Sequence, residues 1–255
     1  MMANVLTRGR DGSKSMNAPR IEDLQVKLFT DGADKAQILD MAQKPWIKGF
    51  TTNPSLLRKA GVTDYEAYGR DLVAAVPDRH ISFEVFSDDL PEMVAQARLI
   101  TTWGDNVYVK LPVTDTEGKS MAPLVRELSE DGVKVNVTAL FTTAQVELIT
   151  SAVKDGAASY VSVFAGRIAD AGVDPIPIMR RSVEILSDAP RAELIWASPR
   201  EALNLVQADE VGCHVITMTH DLLAKLPSLG KSLDQFSLET VQMFRRDAVN
   251  AGFSI

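Results

Sequence analysis

The stretch Asn106-Val107-Tyr108-Val109-Lys110-Leu111-Pro112 is an apolar run that closes on a cation. Residues two apart on a strand share a face, so Tyr108 and Lys110 point one way and Val107 and Val109 the other. A lysine at the end of such a strand must pair with an acid, emerge into a site, lose its proton, or snorkel into solvent. A lysine in water has a pKa of about 10.4, so only on the order of 1 in 10³ carries a neutral, nucleophilic amine at pH 7. Burial beside other cations can bring that value to about 7–8.

Outward from this strand the same pattern repeats in both directions. Short β-rich runs occur at Val26–Asp31, Ile47–Thr52, His80–Phe86, Asn106–Leu111, Val133–Thr138, Tyr160–Phe164, Glu193–Ala197 and Cys213–Met218. Longer amphipathic stretches separate them, as repeated βα units around a parallel sheet require. Thr63-Asp64-Tyr65-Glu66 and Thr142-Thr143-Ala144-Gln145 carry helix-start chemistry, and Glu92–Ile100 has apolar residues at helical spacing. Eight strands with intervening helices predict an α/β fold, a single (β/α)8 TIM barrel. An open doubly wound sheet is the alternative, but Asp31-Gly32-Ala33-Asp34 after the first strand lacks the glycine-rich phosphate fingerprint. Residues 1–25 read as a flexible tail, or else an organellar targeting peptide, and residues 26–255 as the barrel with C-terminal helices at Asp221–Leu226 and Ser237–Val249. The last of these could cap the barrel or dock on a neighbouring subunit.

Composition narrows the function classes. The 255 residues are 45% hydrophobic and 24% charged, which suits one large core. A net charge of −7 disfavours a broad surface for nucleic acid or anionic membrane, so a bound anion should meet a few placed cations. The single Cys213 excludes an internal disulfide framework and reads as a small buried hydrophobe, and no Cys/His spacing suggests structural zinc. No apolar stretch approaches the ~20 residues needed to span a bilayer.

In a barrel, the carboxyl ends of the strands converge on one face. There the sequence offers Asp31, Asn53, Glu84, Lys110, Asn136 with Thr138, Ser162 with Arg167, and Ser198 with Arg200. Each alone has a bland explanation: Asp31 could cap a helix, Asn53 before Pro54 could make a turn, Glu84 could sit in a buried ion pair, and the arginines could be surface cations. Together they suit carbonyl chemistry. A neutral lysine adds to a ketone to give a Schiff base, a carboxylate takes a hydroxyl proton during cleavage, a second acid/base manages water, and guanidinium forks meet a phosphate.

Five ordered stretches resemble the transaldolase family from about Val26 to Ile255. They are Thr51-Thr52-Asn53-Pro54-Ser55-Leu56, Val107-Tyr108-Val109-Lys110-Leu111-Pro112, Asn136-Val137-Thr138-Ala139-Leu140-Phe141, Ser162-Val163-Phe164-Ala165-Gly166-Arg167-Ile168 and Trp196-Ala197-Ser198-Pro199-Arg200. The resemblance implies a class I aldolase-type barrel and reversible transfer of a dihydroxyacetone unit between sugar phosphates. In the pentose phosphate pathway this converts sedoheptulose 7-phosphate and glyceraldehyde 3-phosphate to erythrose 4-phosphate and fructose 6-phosphate. It implies neither metal nor organic cofactor, a cytoplasmic location, and a ring-shaped, decamer-like homo-oligomer.

Carried over by position, Lys110 would form the Schiff base, Asp31 would exchange a proton with the substrate hydroxyl, and Glu84 and Thr138 would hold a water. Asn53 and Asn136 would bond the dihydroxyacetone hydroxyls, Ser162 would line the same pocket, Ser55 and Phe164 would contact substrate, and Arg167, Ser198 and Arg200 would receive the phosphate. Related fructose 6-phosphate aldolases resemble this chain in compact length and in the terminal Gly252-Phe253-Ser254-Ile255, but typically carry Gln at position 84 and Tyr at 164, so Glu84 and Phe164 favour the transaldolase branch. Pro199 departs from the aromatic usual in its motif and Trp196 is bulky for its place, which leaves another anionic sugar, such as a sulfo-sugar, as an alternative donor. An aldolase that needs no acceptor and a non-catalytic sugar-phosphate-binding barrel complete the alternatives.

Overall fold

Eight parallel strands close on themselves in sequence order in a computed structural model that describes residues 21–253. They are β1 (Lys27–Asp31), β2 (Ile47–Thr51), β3 (His80–Glu84), β4 (Val107–Pro112), β5 (Val135–Leu140), β6 (Ser159–Val163), β7 (Ala192–Trp196) and β8 (Val215–Thr219). Pairing of β1 with both β2 and β8 completes the ring and excludes the open sheet.

The floor of the barrel is aromatic. Phe29, Tyr108, Tyr160, Ile195, Ala197 and Val215 form one buried cluster, with the Phe29 and Tyr160 rings edge to face at 5.5 Å. Phe29 fits because Gly49 on the adjacent strand has no side chain: a Cβ there would stand 2.6 Å from the Phe29 ring and 2.8 Å from the His80 carbonyl. Lys110 follows Tyr108 on the same face, so this hydrophobic plug lies one layer below it.

Helix starts follow their caps. Asp64 accepts from the Ala67 N–H and opens α3 (Tyr65–Ala75), while Thr142 and Gln145 form a reciprocal capping box on α6 (Thr143–Val153). The sequence reading carries β3 through Phe86, but the strand ends at Glu84. The Phe86 and Ser87 N–H groups turn away to donate to Gln96 Oε1, at 2.8 and 3.2 Å.

Of the segment read as a tail, residues 1–20 lie outside the described residues. Ile21–Asp23 form a 3₁₀ turn, and the Gln25 and Val26 N–H groups donate to Asp209 Oδ1 at 2.6 and 2.9 Å. Near the other end, α10 (His220–Leu223) is short, and α11 (Leu233–Asn250) begins four residues before the expected Ser237 because Ser232 caps it through the Gln235 N–H. Ser254 and Ile255 of the terminal motif also lie outside the described residues. Cys213 is buried, and burial pushes its thiol up to about 12. No helix among the described residues is long and apolar enough to cross a membrane.

Candidate active site

Strand register brings the polar residues together. Asp31 stands opposite Thr51 on one side and Thr219 on the other, and Lys110 stands between Glu84 and Asn136. Above them opens a cavity of about 510 Å³ at the carboxyl ends of the strands. Asp31, Asn53, Ser55, Glu84, Lys110, Thr138, Ser162, Phe164, Arg167, Ser198 and Arg200 all line it. Asn136 does not: it is fully buried, one layer deeper on β5 than Thr138, and belongs to the support of the cavity instead of its wall.

Lys110 is only 7% exposed. Its Nζ donates to the Thr52 carbonyl at 2.9 Å and lies 3.4 Å from Glu84 Oε2, so the amine is held by a carbonyl on one side and a carboxylate on the other. Snorkelling into solvent is therefore excluded. Glu84 is itself clamped, because its N–H donates to the Tyr65 hydroxyl at 2.8 Å and its carbonyl accepts from that hydroxyl at 3.0 Å. Burial raises the Tyr65 phenol well above its ordinary range, which keeps it protonated as a donor. The Thr138 hydroxyl is buried in the cavity wall with no partner among the described residues, and such an orphan calls for a small polar guest.

Asp31 does not cap the following helix; Asp34 does so, accepting from the Gln37 N–H of α1 (Lys35–Ala42). Asp31 Oδ1 instead accepts from Thr51 Oγ1 at 2.8 Å. Burial holds the Asp31 carboxyl above the usual carboxylate range, against the opposing pull of Lys110, the Thr51 hydrogen bond and His220. Asn53 does serve its turn: its Oδ1 accepts from the Leu56 N–H to cap α2 (Pro54–Lys59), which leaves its amide NH2 toward the cavity.

A buried hydroxyl–amide chain fixes the opposite wall. Ser162 Oγ donates to Asn136 Oδ1 at 2.7 Å, and Asn136 Nδ2 donates to Ser82 Oγ at 2.9 Å. The proton of Ser162 is thereby committed, so it faces the cavity as an acceptor. Ser82, Tyr65, Thr51 and Thr217, whose hydroxyl lies 2.6 Å from that of Thr51, are supporting residues that the sequence reading does not single out.

At the far end, Arg200 is bound by Asp170 of α7 (Ala165–Asp170): Nε lies 3.0 Å from both carboxylate oxygens and Nη2 2.5 Å from Oδ2. Arg167 lies over the Phe164 ring at 5.4 Å. Among the described residues, two other than glycine adopt left-handed backbones, Ala139 (φ 63°) and Ser198 (φ 59°), and both line the cavity. Strain of this kind persists where surrounding structure over-determines it. Ala139 falls in the register shift between β5 and β6. Pro199 is part of the wall, but Trp196 is fully buried outside it, so its bulk does not narrow the cavity. No group of three or more His, Cys, Asp or Glu among the described residues could hold a metal ion.

Comparison with known proteins places this geometry in a lineage. Residues 28–255 match the family profile described as Transaldolase/Fructose-6-phosphate aldolase. A probable transaldolase of Dehalococcoides mccartyi is 33% identical over 202 residues, covering 79% of this chain and 90% of that protein. Probable transaldolase 2 of Listeria monocytogenes is 32% identical over 215 residues, 83% and 94% of the two chains. A probable transaldolase of Streptococcus equi subsp. zooepidemicus is 36% identical over 204 residues, 79% and 90%. A barrel closed in sequence order, a buried lysine on its fourth strand and a profile match over nearly its whole length lead to one conclusion: the chain belongs to the transaldolase/fructose-6-phosphate aldolase family.

Proposed function

We propose that this protein is a transaldolase that moves a dihydroxyacetone unit from a ketose phosphate to an aldose phosphate through a Schiff base on Lys110. The observation that carries this reading is the Lys110 amine, buried in the cavity wall beside Glu84 in a chamber that also contains Asp31. Lys110 passes its proton to Glu84, the neutral amine adds to the ketone carbon, and Glu84 returns the proton to the hydroxyl that leaves as water, giving an iminium. Asp31 then takes the proton of the hydroxyl on the carbon beyond the bond to be broken. That carbon–carbon bond cleaves, its electron pair flows to the iminium nitrogen, and an aldehyde departs from an enamine. In the second half the enamine attacks the acceptor aldehyde, Asp31 returns its proton, and water hydrolyses the imine.

Glu84 and Thr138 hold the water that enters and leaves. Phe164 has no proton to give, so Glu84 serves as the acid/base group beside Lys110. Asn53, Ser55 and Ser162 meet the dihydroxyacetone hydroxyls, with Asn136 acting through Ser162. Arg167, Arg200 and Ser198 take the phosphate, and the same fork geometry suits a sulfonate.

The test is fructose 6-phosphate with and without erythrose 4-phosphate. Sedoheptulose 7-phosphate forms when the acceptor is present, and turnover falls by at least about tenfold when it is omitted, because the enamine waits for an electrophile. Equal turnover in both would establish the aldolase reading instead.

The same proposal includes self-association through α11. This 18-residue helix has no buried residue, and Leu233, Phe236, Val241 and Phe244 are 46–85% exposed. Apolar exposure of this extent marks an interface, and a second copy of the chain is the occupant we assign. Light scattering coupled to size exclusion should find an oligomer for the wild type and smaller species for Phe244→Glu with unchanged circular dichroism. A monomeric wild type would overturn the assignment.

A further inference from the structure

The Thr51 hydroxyl lies between two partners. Its Oγ1 is 2.8 Å from Asp31 Oδ1 and 2.6 Å from Thr217 Oγ1 on β8, and both threonines are buried. A threonine hydroxyl has one proton, and an ionised carboxylate can only accept. While Asp31 is ionised, the Thr51 proton is therefore committed to Asp31 Oδ1, and Thr217 must supply the proton of the second bond. The result is a directed chain that starts at Thr217, passes through Thr51 and ends on one oxygen of Asp31. Oδ2, the other oxygen, has no hydrogen-bond partner among the described residues, and all three residues line the cavity.

We infer that Thr217 is a positioning residue for the carbon–carbon bond step, acting through Thr51 to pin Asp31 Oδ1 and leave Oδ2 as the oxygen that takes the substrate proton. This rests on the Schiff-base reading above and adds to it a residue that need not touch the reacting atoms. Cooperative polarisation strengthens the last bond of such a chain, and that bond favours the ionised carboxylate. The groups facing Asp31 are Lys110, with Glu84 beyond it, and His220; Asp34, Lys59 and Asp221 surround the adjoining cavity that shares Asp31. Of these, Lys110 and His220 favour the carboxylate along with Thr51, and burial opposes them.

Thr217→Val keeps the shape and removes the hydroxyl. Thr51 then loses its donor, its bond to Asp31 weakens, and Asp31 protonates at higher pH. The acid limb of the kcat profile should move upward by about half to one pH unit, with kcat at the optimum about tenfold lower. Thr217→Ser should restore both. Borohydride should still trap substrate on Lys110 in the valine variant, since imine formation precedes the step that uses Asp31. A valine variant with the wild-type acid limb and kcat would overturn the inference while leaving the Schiff base intact. A wild type that yields no adduct would instead overturn the proposed function itself. Should the valine variant fold poorly by circular dichroism, Thr217→Ala is read on the same profile, with the same two outcomes.

Discussion

Lys110→Met is expected to lower turnover by on the order of 10⁴-fold or more and to abolish the borohydride-stable adduct altogether. The size follows from the proposed role: a nucleophile that forms the covalent intermediate has no substitute, and residues acting with it lose their function at the same time. Asp31 has no bond to polarise without an iminium to receive the electrons, so its contribution vanishes with the amine. Met retains the apolar stem that fills the site, where Lys110 is 7% exposed. It does leave the Thr52 carbonyl without its donor and Glu84 without its cation. An acceptor left unpaired costs about 1–3 kcal/mol, so the variant should fold with a lowered Tm and an unchanged circular dichroism spectrum. Peptide mapping of the wild-type adduct checks the assignment independently. A label on any other lysine, or a methionine variant with a tenth of wild-type activity, would remove the chemical basis of the mechanism.

How far this arrangement was legible in the sequence depends on the range over which each feature is determined. The strands were legible because burial imposes a period of two, and Lys110 stood out because a cation ending Val107-Tyr108-Val109 breaks an apolar pattern. The same period gives a residue's face but not its depth. Asn136 and Thr138 share a face, yet only Thr138 reaches the cavity, because depth is set by the stagger between neighbouring strands. Thr51, Ser82 and Thr217 read as ordinary strand residues, since threonine suits a β-strand without any polar duty. The pairing of Thr51 with Thr217 spans 166 residues and depends on where β8 meets β1 as the barrel closes. The tie of Tyr65 to Glu84 joins a helix to a strand end, and no local pattern announces it. The start of α11 does not follow from apolar spacing, because the Ser232 cap sets it at Leu233.

Gly166→Ala is expected to raise KM for a phosphorylated donor by at least about tenfold and to lower Tm, while changing turnover of an unphosphorylated donor much less. A Cβ at Gly166 would overlap the Ser198 carbonyl oxygen and stand 2.6 Å from its carbon and 3.4 Å from Arg200 Cγ. The obstacle is backbone, held by a residue already in a left-handed conformation at φ 59°, so it cannot swing aside as a side chain would. The Gly166 N–H also donates to the Ala197 carbonyl at 3.4 Å, which draws the start of α7 against the end of β7. This glycine is therefore what allows two elements to approach: α7 with Arg167 and Asp170, and the loop with Ser198 and Arg200. Overpacking of this kind typically costs about 1–3 kcal/mol, and relief comes by moving α7 and the loop apart. Such a movement separates Arg167 from Ser198 and strains the bidentate tie of Asp170 to Arg200, so a phosphate held there, as proposed, would lose its convergent partners. Glu84, Lys110 and Thr138 sit on β3, β4 and β5 and keep their places. The informative quantity is the ratio of kcat/KM for fructose 6-phosphate to that for fructose, which the substitution should reduce by about the same tenfold. A lower Tm with that ratio unchanged would mean that Gly166 serves packing alone and that the phosphate is bound elsewhere.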